Sequence, residues 1–234
     1  MKAILLAAGK GTRISRRIEQ IPKCTLPVNG LPLIRRTINM LQKKSIECSV
    51  CVGYERDKIF QALEGLDIKY YFNPFYEITN SIASLWFARD FIDDEILIMN
   101  ADVYMSEEIM DLMLESSFDN VLAIDTARTE IGDYFFSTTG NGILKKYGKD
   151  LPLKERSGEY VGIAKISKQF TEIFKQRMNE MIANNEHQRW WENVLYSFAD
   201  TRQINTLDIG NRFWAEVDYF DDYERILKHI SESE

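Results

Sequence analysis

The sequence predicts an α/β protein, with a mostly parallel, mixed β-sheet, helices on both faces and a small antiparallel extension. Three observations carry this. Apolar runs of strand length alternate with segments of helical periodicity up to Thr126, the rhythm of a parallel sheet whose crossovers are helices. The first run ends in a glycine turn at Gly9 and Gly11. After Thr126 the rhythm gives way to short strands joined by glycine-containing turns.

Residues 2–8 read as the first strand, ended by Gly9. Residues 31–43 place Leu33, Ile34, Ile38 and Leu41 at the spacing of an amphipathic helix. A strand over 49–52 stops at Gly53, followed by a short helix over 58–66 and a third strand over 67–72. Asn80 or Ser81 caps a helix reaching residue 90. Residues 95–100 (EILIMN) are a buried strand. Residues 106–115 are a helix capped by Ser106, with Glu107, Glu108 and Asp111 early, where the helix dipole favours acids. Residues 121–126 are again a strand. Beyond them, 133–138, 142–147 and 160–167 are short strands expected to cover the sheet edge. Helices over 170–184 and 190–198, strands over 205–208 and 213–217, and a closing helix over 221–231 complete the chain. No repeat, low-complexity tract or linker intervenes, so one domain over 1–234 is expected, with 127–200 as its extension.

Hydrophobic residues make up 45% and charged residues 28% of the 234 residues, enough for a sizeable core under a wetted surface. The net charge of −7 argues against general binding to nucleic acid or anionic membranes, which needs surplus Lys and Arg. The opening apolar run is too short for a signal peptide, and no run has transmembrane length, so a cytoplasmic setting is expected. Cys48 and Cys51 form a CxxC without a second ligand pair, and Cys51 reads as a small core residue.

Three constellations carry chemistry. Gly9 and Gly11 let backbone N–H groups approach phosphate, Arg13 can grip phosphate oxygens with paired donors, and Lys23 adds a point charge. A βα turn with solvated cations would look the same, and the spacing fits neither a Walker loop nor a dinucleotide fingerprint. Asp102 follows the EILIM strand, where ligands of open α/β sheets bind, and can hold Mg²⁺ against triphosphate oxygens. A turn aspartate making local backbone bonds is the alternative. Late in the chain, Glu216 and Asp218 share one face of a strand, and Asp218 could be a second metal ligand. Asp221 and Asp222 are better placed to cap the helix that follows.

The segments LLAAGKGTRIS and IPKCTLPVNGLPLI resemble the LAAGxGxRL…PK signature of the sugar-nucleotide-type nucleotidyltransferases. Val52-Gly53-Tyr54, NPFYEITNSIASLW, Ala101-Asp102, Gly162-Ile163-Ala164 and EVDYFDDYERI continue that resemblance over nearly the whole chain. The NSIASLW and EVDYFDDY segments are similar to the cytidylyltransferases that activate phosphocholine, 2-aminoethylphosphonate and related head groups. The resemblance implies a Rossmann-like, GT-A-like nucleotidyltransferase fold. It also implies transfer of CMP from CTP to a small phosphorylated or phosphonylated acceptor, with Mg²⁺ as cofactor. By position, Leu6, Ala8, Gly9 and Ala101 would meet the nucleoside, and Gly11, Thr12 and Arg13 the β- and γ-phosphates. Lys23 would lie near the α-phosphate and the acceptor phosphate, and Asn80, Ser81 and Ser84 at the base edge. Asp102 and Asp218 match the metal carboxylates.

On the acceptor side the resemblance points to Trp190, Trp191 and Glu192, an aromatic-plus-acid set that can hold an ammonium group. Trp191 is the member of the pair assigned to the acceptor, together with Lys23, Tyr104, Tyr134, Lys149, Glu192 and Glu216. The two tryptophans cannot share one helix face, so at least one packs. Lys165, alternating with Ile163 and Ile166 on a strand, could be an acceptor-phosphate lysine or equally an edge charge, and a homodimer is an open option. A sugar-1-phosphate enzyme using UTP, dTTP or GTP, or a non-catalytic nucleotide-binding subunit, would share the opening motif.

Overall fold

The computed structural model describes residues 1–11 and 21–233; Thr12 and Arg13, expected at the β- and γ-phosphates, fall outside the described residues. The chain opens with β1 (Lys2–Ala7), followed by the small hairpin β2 (Pro27–Val28) and β3 (Leu31–Pro32). α1 (Leu33–Lys43), β4 (Glu47–Val52), α2 (Arg56–Ala62), β5 (Lys69–Phe72) and α3 (Ser81–Phe87) follow. Next come β6 (Ile96–Asn100), β7 (Val103–Met105), α4 (Glu107–Glu115) and β8 (Asn120–Asp125). β9 (Phe135–Thr138), β10 (Leu144–Gly148), β11 (Gly158–Ile166) and α5 (Lys168–Ala183) lead to α6 (Asn193–Tyr196), β12 (Asn205–Asp208), β13 (Trp214–Glu216) and α7 (Phe220–Ser233).

β1 lies between β4 and β6, parallel to both, and β5 extends β4 in parallel. Along β1, Ala3 and Leu5 pack on one face while Ile4 packs on the other, as strand alternation requires. The same geometry separates Cys48 from Cys51. Three residues apart on β4, they enter opposite cores as buried free thiols, so the CxxC is no redox pair. α1 buries Leu33, Ile34, Ile38 and Leu41, the stripe its spacing predicted.

The antiparallel region differs from expectation. β11 does not cover an edge but inserts between β6 and β8, with β9 pairing its first residues on the side opposite β8. Its nine residues are all buried, apolar ones filling both faces and the two charged ones, Glu159 and Lys165, held by ion pairs. The pairing of β11 with β8 shifts register between Tyr160 and Ala164, and Gly162 at φ +87° lies within that shift. A Cβ there would come within 2.8 Å of Val103 Cγ2, so only glycine fits both the backbone and the space.

Lys165 is not an edge charge. It is 3% exposed, donates to the Leu114 and Ser116 carbonyls at 2.8 and 2.7 Å, and pairs with Glu95 at 3.1 Å. It thereby satisfies carbonyls at the end of α4, where a cation also complements the helix dipole. The predicted helix over 190–198 contracts to α6. The Trp190 N–H is taken by Asn193 Oδ1 and the Trp191 N–H by Ser81 Oγ, which holds both residues ahead of the helix. Among the described residues, no helix is long and apolar enough to cross a membrane.

Candidate active site

The strand register gathers the site. Leu6 on β1 lies opposite Asn100 on β6, so the glycine loop after β1 and the turn after β6 open on the same carboxyl edge of the sheet. The Ala101 N–H donates to the Leu6 carbonyl at 3.1 Å, which ties the two turns together. β7 then pairs antiparallel with β13, Val103 opposite Glu216. The Val217 N–H donates to the Asp102 carbonyl at 3.0 Å, which sets Asp218 beside Asp102.

Lys23 reaches this point from the loop after Pro22. Its Nζ lies 2.6 Å from Asp102 Oδ2 and 2.8 Å from Asp218 Oδ1, with all three side chains about 15% exposed. Burial acts to lower the lysine pKa, but the two carboxylates outweigh it and hold the ammonium well above its ordinary value. Gly11, at φ +57°, leaves room for this arm, since a Cβ there would sit 2.7 Å from Lys23 Cγ.

A cavity of about 340 Å³ opens over the trio. Of the predicted nucleotide residues, Leu6, Ala8, Gly9, Gly11, Asn80, Ser81, Ser84 and Ala101 line it, together with Lys23, Asp102, Glu216 and Asp218. Asn80 occupies the N-cap of α3, its Oδ1 accepting from the Ser81 N–H at 2.7 Å. Buried Asn73 braces this wall by donating to Thr79 Oγ1 and Ser84 Oγ, both at 3.0 Å. Sequence reasoning missed Tyr76, Thr79 and Asn100 in the lining. Asn100 carried a signal, since it immediately precedes Ala101-Asp102 at the strand end.

A second cavity of about 150 Å³ adjoins the first through Ser81, Asn100, Trp190, Glu216 and Asp218. The predicted Tyr134, Lys149 and Glu192 line it. Trp191 does not. It is fully buried, its indole N–H donates to Asn100 Oδ1 at 3.0 Å, and Trp190 is the member of the pair that faces both cavities. Tyr104 lines neither cavity. It is 7% exposed, packed beneath the Arg36 guanidinium and against Phe213. Tyr160 and Tyr196, read from the sequence only as parts of a strand and a helix, line the second cavity instead.

The second cavity is electrostatically unlike the first. Burial pushes the Glu192 carboxyl up to about 8. Glu216 is held well above the usual carboxylate range by burial first and by Asp102 and Asp218 next. Among the described residues, the Tyr160 and Tyr196 hydroxyls are buried without hydrogen-bond partners.

Among the described residues, no group of three or more His, Cys, Asp or Glu side chains could hold a metal ion by itself. Asp102 and Asp218 nonetheless suit Mg²⁺, which binds through one or two carboxylates and completes its shell with water and phosphate oxygens. The ammonium seated between them marks the position as favourable for a cation.

The sequence profile of the MobA-like NTP transferase domain matches residues 3–139. The choline-phosphate cytidylyltransferase of Streptococcus pneumoniae is 25% identical, over 98% of this chain and 99% of its own length. The CTP:phosphoglutamine cytidylyltransferase of Campylobacter jejuni is 23% identical, over 96% of this chain and 98% of its own. The solved structure of CTP:phosphocholine cytidylyltransferase from Streptococcus pneumoniae superposes with a TM-score of 0.80 at 20% identity, covering 98% of both chains, and shares the fold. The matched residues include β1, the glycine turn, Lys23 and Asp102 of the larger cavity, while Trp190, Glu216 and Asp218 lie beyond them, and the chain belongs to the MobA-like NTP transferase family.

Proposed function

We propose that this chain is a cytidylyltransferase that moves CMP from CTP to a small phosphorylated or phosphonylated acceptor. The observation that carries the reading is the meeting of Lys23, Asp102 and Asp218 at the shared edge of two cavities, one lined by the glycine turn and the other by aromatic and acidic side chains. The choice of CTP is supported by the named activities of relatives matched over nearly their full length.

In this reading the triphosphate lies in the larger cavity. Backbone groups of Leu6, Ala8, Gly9 and Ala101 meet the nucleoside, Gly11 turns the chain around the phosphates, and Asn80, Ser81 and Ser84 read the base edge. Asp102 and Asp218 would hold Mg²⁺, which when bound neutralises charge on the phosphate oxygens. Lys23, released from the two acids, places its ammonium against the α-phosphate and the acceptor anion. An acceptor oxygen attacks the α-phosphorus, the bond from that phosphorus to the bridging oxygen breaks, and pyrophosphate leaves. The acceptor is already an anion, so no general base is needed, and the protein contributes positioning and charge neutralisation. Tyr134, Lys149, Glu192 and Glu216, with residues 127–200 as the acceptor side of one domain, would enclose the head group. We place this reaction in the cytoplasm, within the synthesis of activated precursors for surface polysaccharides.

The test is pyrophosphate release with Mg²⁺ and CTP, UTP, dTTP or GTP against phosphocholine, phosphoethanolamine, 2-aminoethylphosphonate, glycerol phosphate and glucose 1-phosphate. CTP is expected to be preferred. A preference for a purine or thymine nucleotide with a sugar phosphate would overturn the reading.

A further inference from the structure

The smaller cavity has a feature that a mere filler of space would lack. Its wall carries two phenol hydroxyls, on Tyr160 (7% exposed) and Tyr196 (2% exposed), with no hydrogen-bond partner among the described residues. Buried polar groups are almost always satisfied, and one left unmade is costly. The Glu192 carboxyl lines the same cavity, 6% exposed, and makes no ion pair among the described residues. It lies close enough to both phenols that, after burial, its charge is the next cause raising their pKa values. Trp190 and Tyr134 line it too, with ring centroids 5.3 Å apart at 78°, and Asp133, Glu216 and Asp218 add further acids. A cation already rests on this aromatic wall: Lys149 Nζ lies 5.2 Å from the Trp190 ring centroid.

We propose that this cavity selects an acceptor whose head group is a primary ammonium, with Glu192, Tyr160 and Tyr196 accepting its N–H groups. The inference rests on reading the cavity as the acceptor side of a CMP transfer. Three acceptors around one site match the three donors of an ammonium group. A trimethylammonium group could use the aromatic faces equally well, but it has no N–H to offer and would leave both hydroxyls orphaned. A neutral polyol would satisfy the hydroxyls but bring no charge to Glu192. The stronger hydration of a primary ammonium works against it, and hydrogen bonds from a charged donor, about twice as strong as neutral ones, offset that cost. A site built to hydrogen-bond its ligand also discriminates strongly against an analogue that lacks the donor.

The test is calorimetric titration of the full chain with phosphoethanolamine and with phosphocholine, with and without α,β-methylene-CTP. Phosphoethanolamine is expected to bind at least about tenfold more tightly, the scale of one hydrogen bond from a charged group. Tyr160→Phe and Tyr196→Phe should each narrow that ratio by weakening phosphoethanolamine while leaving phosphocholine unchanged. Both variants should melt at or above the wild-type temperature, since each loses an unsatisfied group. Equal or tighter phosphocholine binding, no binding of either ligand, or an unchanged ratio in both variants would overturn the proposal. CTP-dependent pyrophosphate release with glycerol phosphate, without any ammonium preference, would overturn this inference and leave the transferase reading intact. An ammonium preference in binding, with no turnover of CTP against any acceptor, would do the reverse.

Discussion

The two cavities treat charge in opposite ways. In the larger one every strong charge at the centre is already matched: Lys23 spans Asp102 and Asp218 within 2.8 Å. In the smaller one Glu192 and two phenols are buried without an ion pair among the described residues, and burial pushes the Glu192 carboxyl up to about 8. The first region is therefore stable at rest and must exchange partners to work. The second is strained at rest and relaxed by whatever completes it. Substitutions should then have opposite signs in the two regions, lowering stability where groups are paired and raising it where they are not.

The largest expected effect is on turnover. Asp102→Ala or Asp218→Ala should lower the rate of pyrophosphate release by about 10²–10³, the scale of losing one preorganised charge-stabilising group. Normal turnover by either variant would break the comparison at its stronger end.

Lys23→Met should abolish most activity and also cost about 3–5 kcal/mol of stability by denaturant titration, because it leaves two mostly buried carboxylates side by side. The sign with pH follows from the raised lysine pKa. The pair stabilises the fold fully below about pH 10.4, the unfolded lysine value, and fades only as stronger alkali removes the proton. On the alkaline side, wild type and variant should therefore converge in stability only at strongly alkaline pH.

Gly162→Ala tests the wall shared by the regions. Its Cβ would press on Val103 Cγ2 at 2.8 Å and lie 3.4 Å from Asn100 Nδ2, in a backbone conformation that disfavours side chains. A loss of about 1–3 kcal/mol is expected, with reduced turnover because Asn100 lines both cavities.

On the acceptor side the sign reverses. Glu192 binds its proton more tightly folded than unfolded, so its contribution is full below about pH 4.3 and is lost as pH rises toward about 8. Glu192→Gln should remove that loss, raising the melting temperature of the ligand-free protein by a few degrees at pH 8 and less at pH 5. A variant less stable than wild type at pH 8 would erase the contrast between the cavities. The smallest effect is expected from Lys149→Ala: the lysine is exposed at the rim, so the acceptor KM should change severalfold at most and the melting temperature hardly at all.

What was legible in the sequence follows the same division. Gly9, Gly11, Lys23, Asp102 and Asp218 sit at strand ends and turns, where residue type is dictated by local backbone and charge. Parallel strand order brings the glycine turn to Asp102, and the antiparallel pairing of β7 with β13 brings Asp218. The acceptor wall depends on contacts between distant segments. Which of Trp190 and Trp191 faces the cavity is decided by Ser81 and Asn100, which take the N–H groups of Trp191. Tyr160 and Tyr196 look like ordinary core tyrosines, because an aromatic in an apolar run does not reveal whether its hydroxyl finds a partner. Tyr104 follows Asp102 closely in sequence, yet Arg36 and Phe213 hold it in a separate core. Lys165 is undecided in the sequence because its role depends on where β11 sits, and the insertion of that strand beside β6 brings its ammonium under α4.

The pairing of β7 with β13 has a consequence for how the molecule comes into being. Asp102 is synthesised long before Asp218, and the short clasp between these two strands brings the acids together. A nascent polypeptide emerging from the ribosome can therefore build the glycine turn and the parallel strands early while remaining unable to assemble the acid pair. Competence to hold a metal–triphosphate would arrive late and all at once, when the clasp shuts.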